Sequence, residues 1–486
     1  MMSPTLVFVI LFAYFLLLIM LSYFTGRNSN SDAFFSGNHA SPWYLVAFGM
    51  VGASLSGVTF ISVPGQVNVQ GFAYLQFVLG NFVGYWLIAE VLLPLYYKNK
   101  VTSIYELIAQ RLGRVSHRTA SVAFVVSQLI GASFRMFLAV MVLQMAFFDP
   151  VGIPFPVTVA IMILMIYAYT FRSGIKTIVW TDTLQTACML VAVFVTLFYI
   201  KAHLSMSFGE LWANASGQGY TKLWDWQWQS ATFFPKQFFA GIFITIVMVG
   251  LDQNMMQKNL TCKDLPSAQK NMRWFSISFL ISCAFFLFTG ACLYLYAIDA
   301  GLPFPEKGDQ LFPMLALQYM PVGVSIAFLL GIIASAYSSA DSSLTALTTS
   351  VCIDWFDKKQ PTKRFRTVVH VSLSVLMWLV IVVFDAVQNQ SVVTAVFKVA
   401  GYTYGPLLGM FCFAFFFKER SLPAWATPVA SILAPLICWV ISTNSQQWFW
   451  GYQFGFELLI LNGGLMVGLL ALFNRLASIS STDFTD

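Results

Sequence analysis

The sequence predicts an all-α integral membrane protein of about thirteen spanning helices. Three observations carry that prediction. Of the 486 residues, 58% are hydrophobic and only 9% charged, and the mean hydropathy is +0.74; a soluble domain carries about 25% charged residues. The apolar residues fall in long runs such as 5–23, 178–200, 277–296 and 368–383, close to the length that crosses about 30 Å of hydrocarbon. Lys and Arg concentrate in alternate connecting segments, as membrane topology requires. The same composition argues against other classes. The net charge of +6 is spread through short loops and does not form a nucleic-acid-binding patch. The seven Cys and four His are scattered, with no CxxC and no Cys/His cluster, so neither a disulfide framework, nor structural zinc, nor enzyme chemistry is expected.

Taken in order, the spans read as 4–24, 42–63, 72–97, 119–148, 154–171, 178–201, 233–257, 274–298, 320–351, 367–387, 392–417, 422–442 and 452–474. The first has neither a basic segment before it nor a small-residue cleavage site after it, so it is read as a retained helix. One set of connections is basic: Arg27; Lys98, Lys100, Arg111, Arg114 and Arg118; Arg172 and Lys176; Lys258, Lys263, Lys270 and Arg273; Lys358, Lys359, Lys363, Arg364 and Arg366; Lys418 and Arg420; Arg475. The positive-inside rule places these in the cytoplasm, with the N-terminus outside and the C-terminus inside. That parity needs an odd number of spans. The segment 202–232 lies on the opposite side and carries Trp212, Trp224, Trp226 and Trp228, side chains suited to the membrane interface. Residues 101–112 have the pattern of a short amphipathic surface helix, and 476–486 read as a cytoplasmic tail. The chain is expected to be one multi-pass domain over 1–475, in the inner or plasma membrane of a cell.

Ionisable residues inside spans are costly and tend to line pathways. Here they are Glu90, Arg135, Asp182, Asp252, Asp341 and Lys398. Glu90 lies near a span end, where it can snorkel. Residues 51–59 (VGASLSGVT) put two Gly and two Ser in mid-span. Such a stretch forms either a broken helix with carbonyls exposed to a cation or a close helix contact through small residues. In 334–343 (ASAYSSADSS), Ser335, Ser338, Ser339 and Ser342 recur at i, i+3, i+4 and i+7 and share one helical face, with Asp341 three residues after Ser338. Hydroxyls with a carboxylate suit a hard cation that takes oxygen ligands; the alternative is hydrogen bonding between helices. Asp182, after Trp180 and Thr181, either joins that ion site or caps a helix.

At these residues the chain resembles the sodium:solute symporter family. The marks are 52–60 (GASLSGVTF), 93–97 (LPLYY), 101–107 (VTSIYEL) followed by Arg111, 173–185 (SGIKTIVWTDTLQ), Asp252 and Gln253 with Gln257 and Lys258, and 336–342 (AYSSADS). Singly they are weak; their joint order and spacing over nearly the whole chain are specific. The 102–106 stretch looks most like the iodide, monocarboxylate and multivitamin branch. The resemblance implies a LeuT-type fold: a leading helix (4–24), inverted five-helix repeats over 42–201 and 233–417, and two extra helices over 422–474. The spans 42–63 and 233–257 would be the broken pair.

The resemblance also implies a sodium site made of the carbonyls of Gly52, Leu55 and Ser335 with the hydroxyls of Ser338 and Ser339. A second sodium position would use Asp182, Ser338, Asp341 and Ser342. Family members often carry a small or hydroxyl residue where Asp341 stands, so this carboxylate either strengthens a second site or binds a proton. Solute contacts would come from Ser54, Ser56, Thr59, Gln76, Asp252 and Gln253, with Arg135 where sialic acid symporters hold the substrate carboxylate; the alternative for Arg135 is a structural partner of Asp252 or another cavity acid. Val78 and Asp252 stand where sugar transporters use Glu and Asn, a departure that weakens a sugar reading. The function expected is sodium-driven import of a small organic acid such as a sialic acid, a monocarboxylate or a vitamin carboxylate. The partners are that solute, Na⁺ and the lipid bilayer. A sugar, polyol or amino-acid symporter is the alternative within the class, and an uncoupled facilitator or channel the alternative outside it.

Overall fold

The computed structural model describes residues 4–26, 41–99, 104–170, 175–356, 361–387, 392–417 and 422–482. These form helices and connecting turns, with no β-strand among the described residues. In chain order the principal helices are α1 (Pro4–Gly26), α2 (Trp43–Ser54), α3 (Val58–Gly65), α4 (Tyr74–Asn99), α5 (Glu106–Val151), α6 (Phe155–Thr170), α7 (Ile175–His203) and α8 (Phe208–Gly217). They continue with α9 (Phe234–Gly250), α10 (Gln253–Asn259), α11 (Leu265–Asp299), α12 (Val322–Trp355), α13 (Lys363–Val387), α14 (Val392–Thr403), α15 (Gly405–Phe416), α16 (Ala426–Thr443) and α17 (Leu458–Thr482).

Among the described residues eight helices are long and apolar enough to cross a membrane, or eleven when each bent pair counts as one span; α1 and α6 contain shorter apolar helices. The bent pairs are α2–α3 (63°), α9–α10 (71°) and α14–α15 (44°). The first two follow from local sequence. Gly52, Ser54, Ser56 and Gly57 are poor helix formers, and the helix stops at Ser54. At the second, Asp252 leaves helical geometry (φ −103°, ψ 119°) and its Oδ1 accepts the Met255 N–H, capping α10. The third was not foreseen: Tyr404 sits at the joint between α14 and α15, followed by Gly405 and Pro406.

Packing centres on α5, α7 and α12, with α2 and α9 against them or against α4. Glycines set the closest approaches. A Cβ on Gly241 of α9 would stand 2.2 Å from the Phe77 carbonyl and 3.0 Å from the Gly80 Cα of α4. This close approach of backbones is how helices associate in lipid. Residues 334–350 of α12 are all buried although ten of them are Ser, Thr or Asp.

Some boundaries differ from expectation. α17 runs to Thr482, because falling hydropathy at 474 marks where the apolar stretch ends and not where helical hydrogen bonding ends. Of the surface-helix stretch 101–112, residues 101–103 lie outside the described residues, and Glu106–Leu112 form the first turns of α5, set off by a kink at Gly113 (φ 85°). Arg27, Lys100, Arg172, Lys358, Lys359, Lys418, Arg420 and residues 483–486 also lie outside the described residues. Lys258, read as a loop residue, is buried within α10.

Candidate functional site

The α2–α3 break lies against α12. A Cβ on Gly57 would meet the Ser335 Oγ at 3.2 Å and the Arg135 carbonyl at 3.3 Å. Because α2 ends at Ser54, the carbonyls of Gly52 and Leu55 receive no backbone N–H among the described residues. Opposite them, Ser335, Ser338 and Ser339 are buried. Ser335 Oγ donates to the Ile332 carbonyl (2.9 Å) and Ser338 Oγ to Asp182 Oδ1 (2.6 Å). Ser339 Oγ has no hydrogen-bond partner among the described residues. A buried hydroxyl without a hydrogen bond carries a desolvation penalty of about 1–3 kcal/mol. Free carbonyls and a free hydroxyl at a helix break are oxygen donors suited to a small hard cation.

Asp182 joins this stripe from α7. Its second oxygen, Oδ2, accepts from Lys258 Nζ at 2.7 Å, and the two side chains are 0% and 1% exposed. The Gln185 amide, oriented to donate, stands 3.2 Å from Asp182 Oδ1. Asp341 Oδ1 accepts from the Ser342 N–H and from the Ser342 hydroxyl of its own helix.

Beside the break is a cavity of about 120 Å³ whose lining includes Ser54, Ser56, Thr59, Arg135, Asp252 and Asn254, with an apolar wall of Phe77, Met248, Val249, Phe279 and Phe397. Arg135 projects from α5, whose segment from Ala132 to Val140 is otherwise almost wholly buried. Its guanidinium makes no hydrogen bond with the described residues, and the charge of Asp252 on the same cavity wall acts on it through space. Asp252 is committed elsewhere: Oδ1 caps α10, and Oδ2 lies 3.1 Å from the Tyr404 hydroxyl, which is shared with Gln128 Oε1. Gln128 Nε2 in turn donates to Ser343 on α12 (3.1 Å). The polar chain thus joins α5, α10, α12 and the α14–α15 joint around one end of the cavity.

Residues 34–421 match the model of the sodium:solute symporter family. The chain belongs to that family. Among similar proteins is the sodium/sialic acid symporter NanT of Aliivibrio fischeri, 24% identical over 480 residues, covering 95% of this chain and 92% of that one. The sodium/sialic acid symporter SiaT of Proteus mirabilis is 23% identical, covering 88% of each chain. Sodium-coupled monocarboxylate transporter 1 of Mus musculus is 25% identical, covering 79% of this chain and 64% of that one. The fold resembles that of a Na⁺-coupled sialic acid symporter in its substrate-bound outward-open state, with TM-score 0.81 at 19% identity over 97% and 98% of the two chains. The symporter is therefore a multi-pass membrane protein with Na⁺ as its coupling ion.

Not every polar residue expected at the solute site reaches the cavity. Ser54, Ser56, Thr59, Arg135 and Asp252 line it; Gln76 and Gln253 do not. Gln76 donates to the carbonyls of Thr232 (3.0 Å) and Ala73 (3.2 Å) and accepts from the Asp225 N–H (3.4 Å), holding the 225–232 loop against α4. Gln253 Oε1 accepts from the Ile104 N–H (3.1 Å). Neither side chain is on the cavity wall; both are spent on backbone groups of neighbouring segments. Glu90 pairs with Arg273 of α11 (Nε 3.0 Å) at a half-exposed site, and Lys398 is exposed. Sequence reasoning missed Gln128, Tyr404, Asn254 and above all Lys258. A span boundary drawn one residue later would have flagged Lys258 as a cation inside the membrane.

Proposed function

We propose that the symporter imports a small carboxylate with Na⁺, holding the carboxylate on Arg135. The observation that carries this reading is the guanidinium itself: it lines a half-open cavity and makes no hydrogen bond with the described residues, its charge being met there only through space by Asp252. Guanidinium N–H groups left without hydrogen bonds in such a place are costly, and a carboxylate ligand answers them with two parallel charge-assisted hydrogen bonds. Ser56, Thr59 and Asn254 supply further polar contacts, and the aromatic wall takes the rest of the solute. The sialic acid and monocarboxylate symporters among its relatives support an acid.

Sodium binds, in this reading, to the carbonyls of Gly52, Leu55 and Ser335 and the hydroxyls of Ser338 and Ser339. It ties the α2–α3 break to α12, completes the cavity wall at Ser54 and Ser56, and raises solute affinity. Coupling is that difference in affinity. Release of sodium to the side where it is scarce frees the break, and the bundle rocks to the other face. The broken pairs α2–α3 and α9–α10 occupy corresponding places in two inverted repeats, over 42–201 and 233–417, inside one domain over 1–475. We place the N-terminus outside and the C-terminus inside with thirteen spans, on the charge of the connecting segments.

The test is thermal stability of the purified protein in NaCl against choline chloride, across a panel holding sialic acid, lactate, pyruvate, pantothenate, biotin, glucose, galactose, myo-inositol, proline and iodide. A ligand of the folded state stabilises it in proportion to the logarithm of its saturation. An acid that stabilises only in NaCl supports the reading. Equal shifts in both salts, or a response to neutral solutes alone, would refute it.

A further inference from the structure

We propose that the Lys258 ammonium occupies the cation position of a second sodium ion, so that the symporter binds one sodium per cycle. The inference rests on the sodium-symport reading above. A second sodium would take the carboxylates of Asp182 and Asp341 with Ser338 and Ser342, and Asp341 Oδ1 is turned to the N–H and hydroxyl of Ser342 on its own helix. In the structure both Asp182 oxygens already carry donors: Lys258 Nζ on Oδ2 at 2.7 Å, and Ser338 Oγ on Oδ1 at 2.6 Å. The pair is fully buried, so the carboxylate and the ammonium neutralise each other without help from water. A sodium ion on the same carboxylate would sit beside the ammonium, and two cations sharing one acid in low dielectric repel strongly. The Ser342 hydroxyl is turned to Asp341, not to Asp182.

The arrangement keeps the first site intact. A hydroxyl that donates its proton to Asp182 still presents lone pairs, so Ser338 serves Asp182 and a sodium ion together. Lys258 lies on α10, a few residues beyond the Asp252 cap beside the cavity, and Asp182 lies on α7. The internal cation therefore fastens the arm of the second broken helix to the helix that supports the sodium stripe, a tether that a free ion would supply only when bound.

The experiment is equilibrium binding of radiolabelled sodium to the purified full chain, with no solute present. Wild type is expected to bind a single ion with a Hill slope of one, and Asp182→Asn to keep that count. Lys258→Gln, which leaves Asp182 charged and unpaired, is expected to gain a second ion; Lys258→Arg keeps one. Two ions in wild type, falling to one in Asp182→Asn, would overturn the inference and leave sodium symport standing. Weaker binding of the single ion in Ser339→Ala, its half-saturation rising about tenfold or more, supports the first site independently. No sodium binding in wild type would overturn the symport reading and this inference with it. The wild-type count decides the question even where Lys258→Gln does not fold.

Discussion

Arg135 and Ser339 both offer polar groups that make no hydrogen bond with the described residues: Ser339 a buried hydroxyl, Arg135 a guanidinium on the cavity wall. Folding does not reward such groups, so their substitution separates function from stability. Ser339→Ala removes a buried hydroxyl that makes no hydrogen bond, and its thermal stability in choline chloride is expected to equal wild type or exceed it by up to about 1–3 kcal/mol. The sodium concentration for half-maximal stabilisation should rise about tenfold or more, one oxygen ligand having gone. Ser338→Ala differs, because it also strips a donor from buried Asp182; it should lose about 1–3 kcal/mol even without sodium. Melting curves at graded NaCl read both effects. For Arg135, hydrogen bonds to a charged group are worth about 1.5–3 kcal/mol each, so losing a pair in Arg135→Ala should weaken acid binding at least about a hundredfold. Sodium binding alone should be unchanged. Arg135→Lys keeps the charge but not the paired geometry, and should fall between. Solute titrations at saturating sodium would show it, and wild-type affinity in Arg135→Ala would exclude the residue from the site.

Helices crossing lipid have little hydrophobic reason to associate, so elements such as α4 and α9 depend on close backbone approach. Gly241→Ala is expected to destabilise by about 1–3 kcal/mol or more, since the atoms its Cβ meets are backbone of α4 and cannot swing aside. Gly217→Ala, with nothing within 4 Å of the added carbon, is the control and should not destabilise; thermal unfolding in detergent compares the two. At this scale the sequence was legible wherever one helix speaks for itself. Apolar length located the helices, and the glycine–serine run at 51–59 marked the first break. What it hid were relations between helices. The bend at Tyr404 leaves hydropathy unchanged, and its purpose, a hydroxyl on Asp252 and Gln128, involves α10 and α5. Lys258 looked like a loop residue because its neutralising partner is 76 positions away. Gln76 and Gln253 looked like solute ligands because a one-dimensional pattern does not say which face of a helix meets the cavity.

The whole molecule is a machine for converting a gradient, and its charge per cycle follows from the site. If Lys258 stands in for a second ion, one sodium travels with one carboxylate, and the loaded carrier moves no net charge. A potential of 100 mV contributes about 2.3 kcal/mol to each elementary charge carried across, and here it would act on none. The sodium gradient alone then sets the limit, about 1.4 kcal/mol for a tenfold ratio, which permits about tenfold accumulation of the acid. In proteoliposomes with the potential clamped by potassium and valinomycin, steady accumulation of the acid found in the stability panel should follow the sodium ratio and ignore the voltage. Lys258→Gln, with a second sodium at Asp182, should become voltage-sensitive and accumulate further as the interior is made negative. Voltage sensitivity in wild type would mean that a second cation moves with the first, and that the Lys258–Asp182 pair opens during the cycle to admit it.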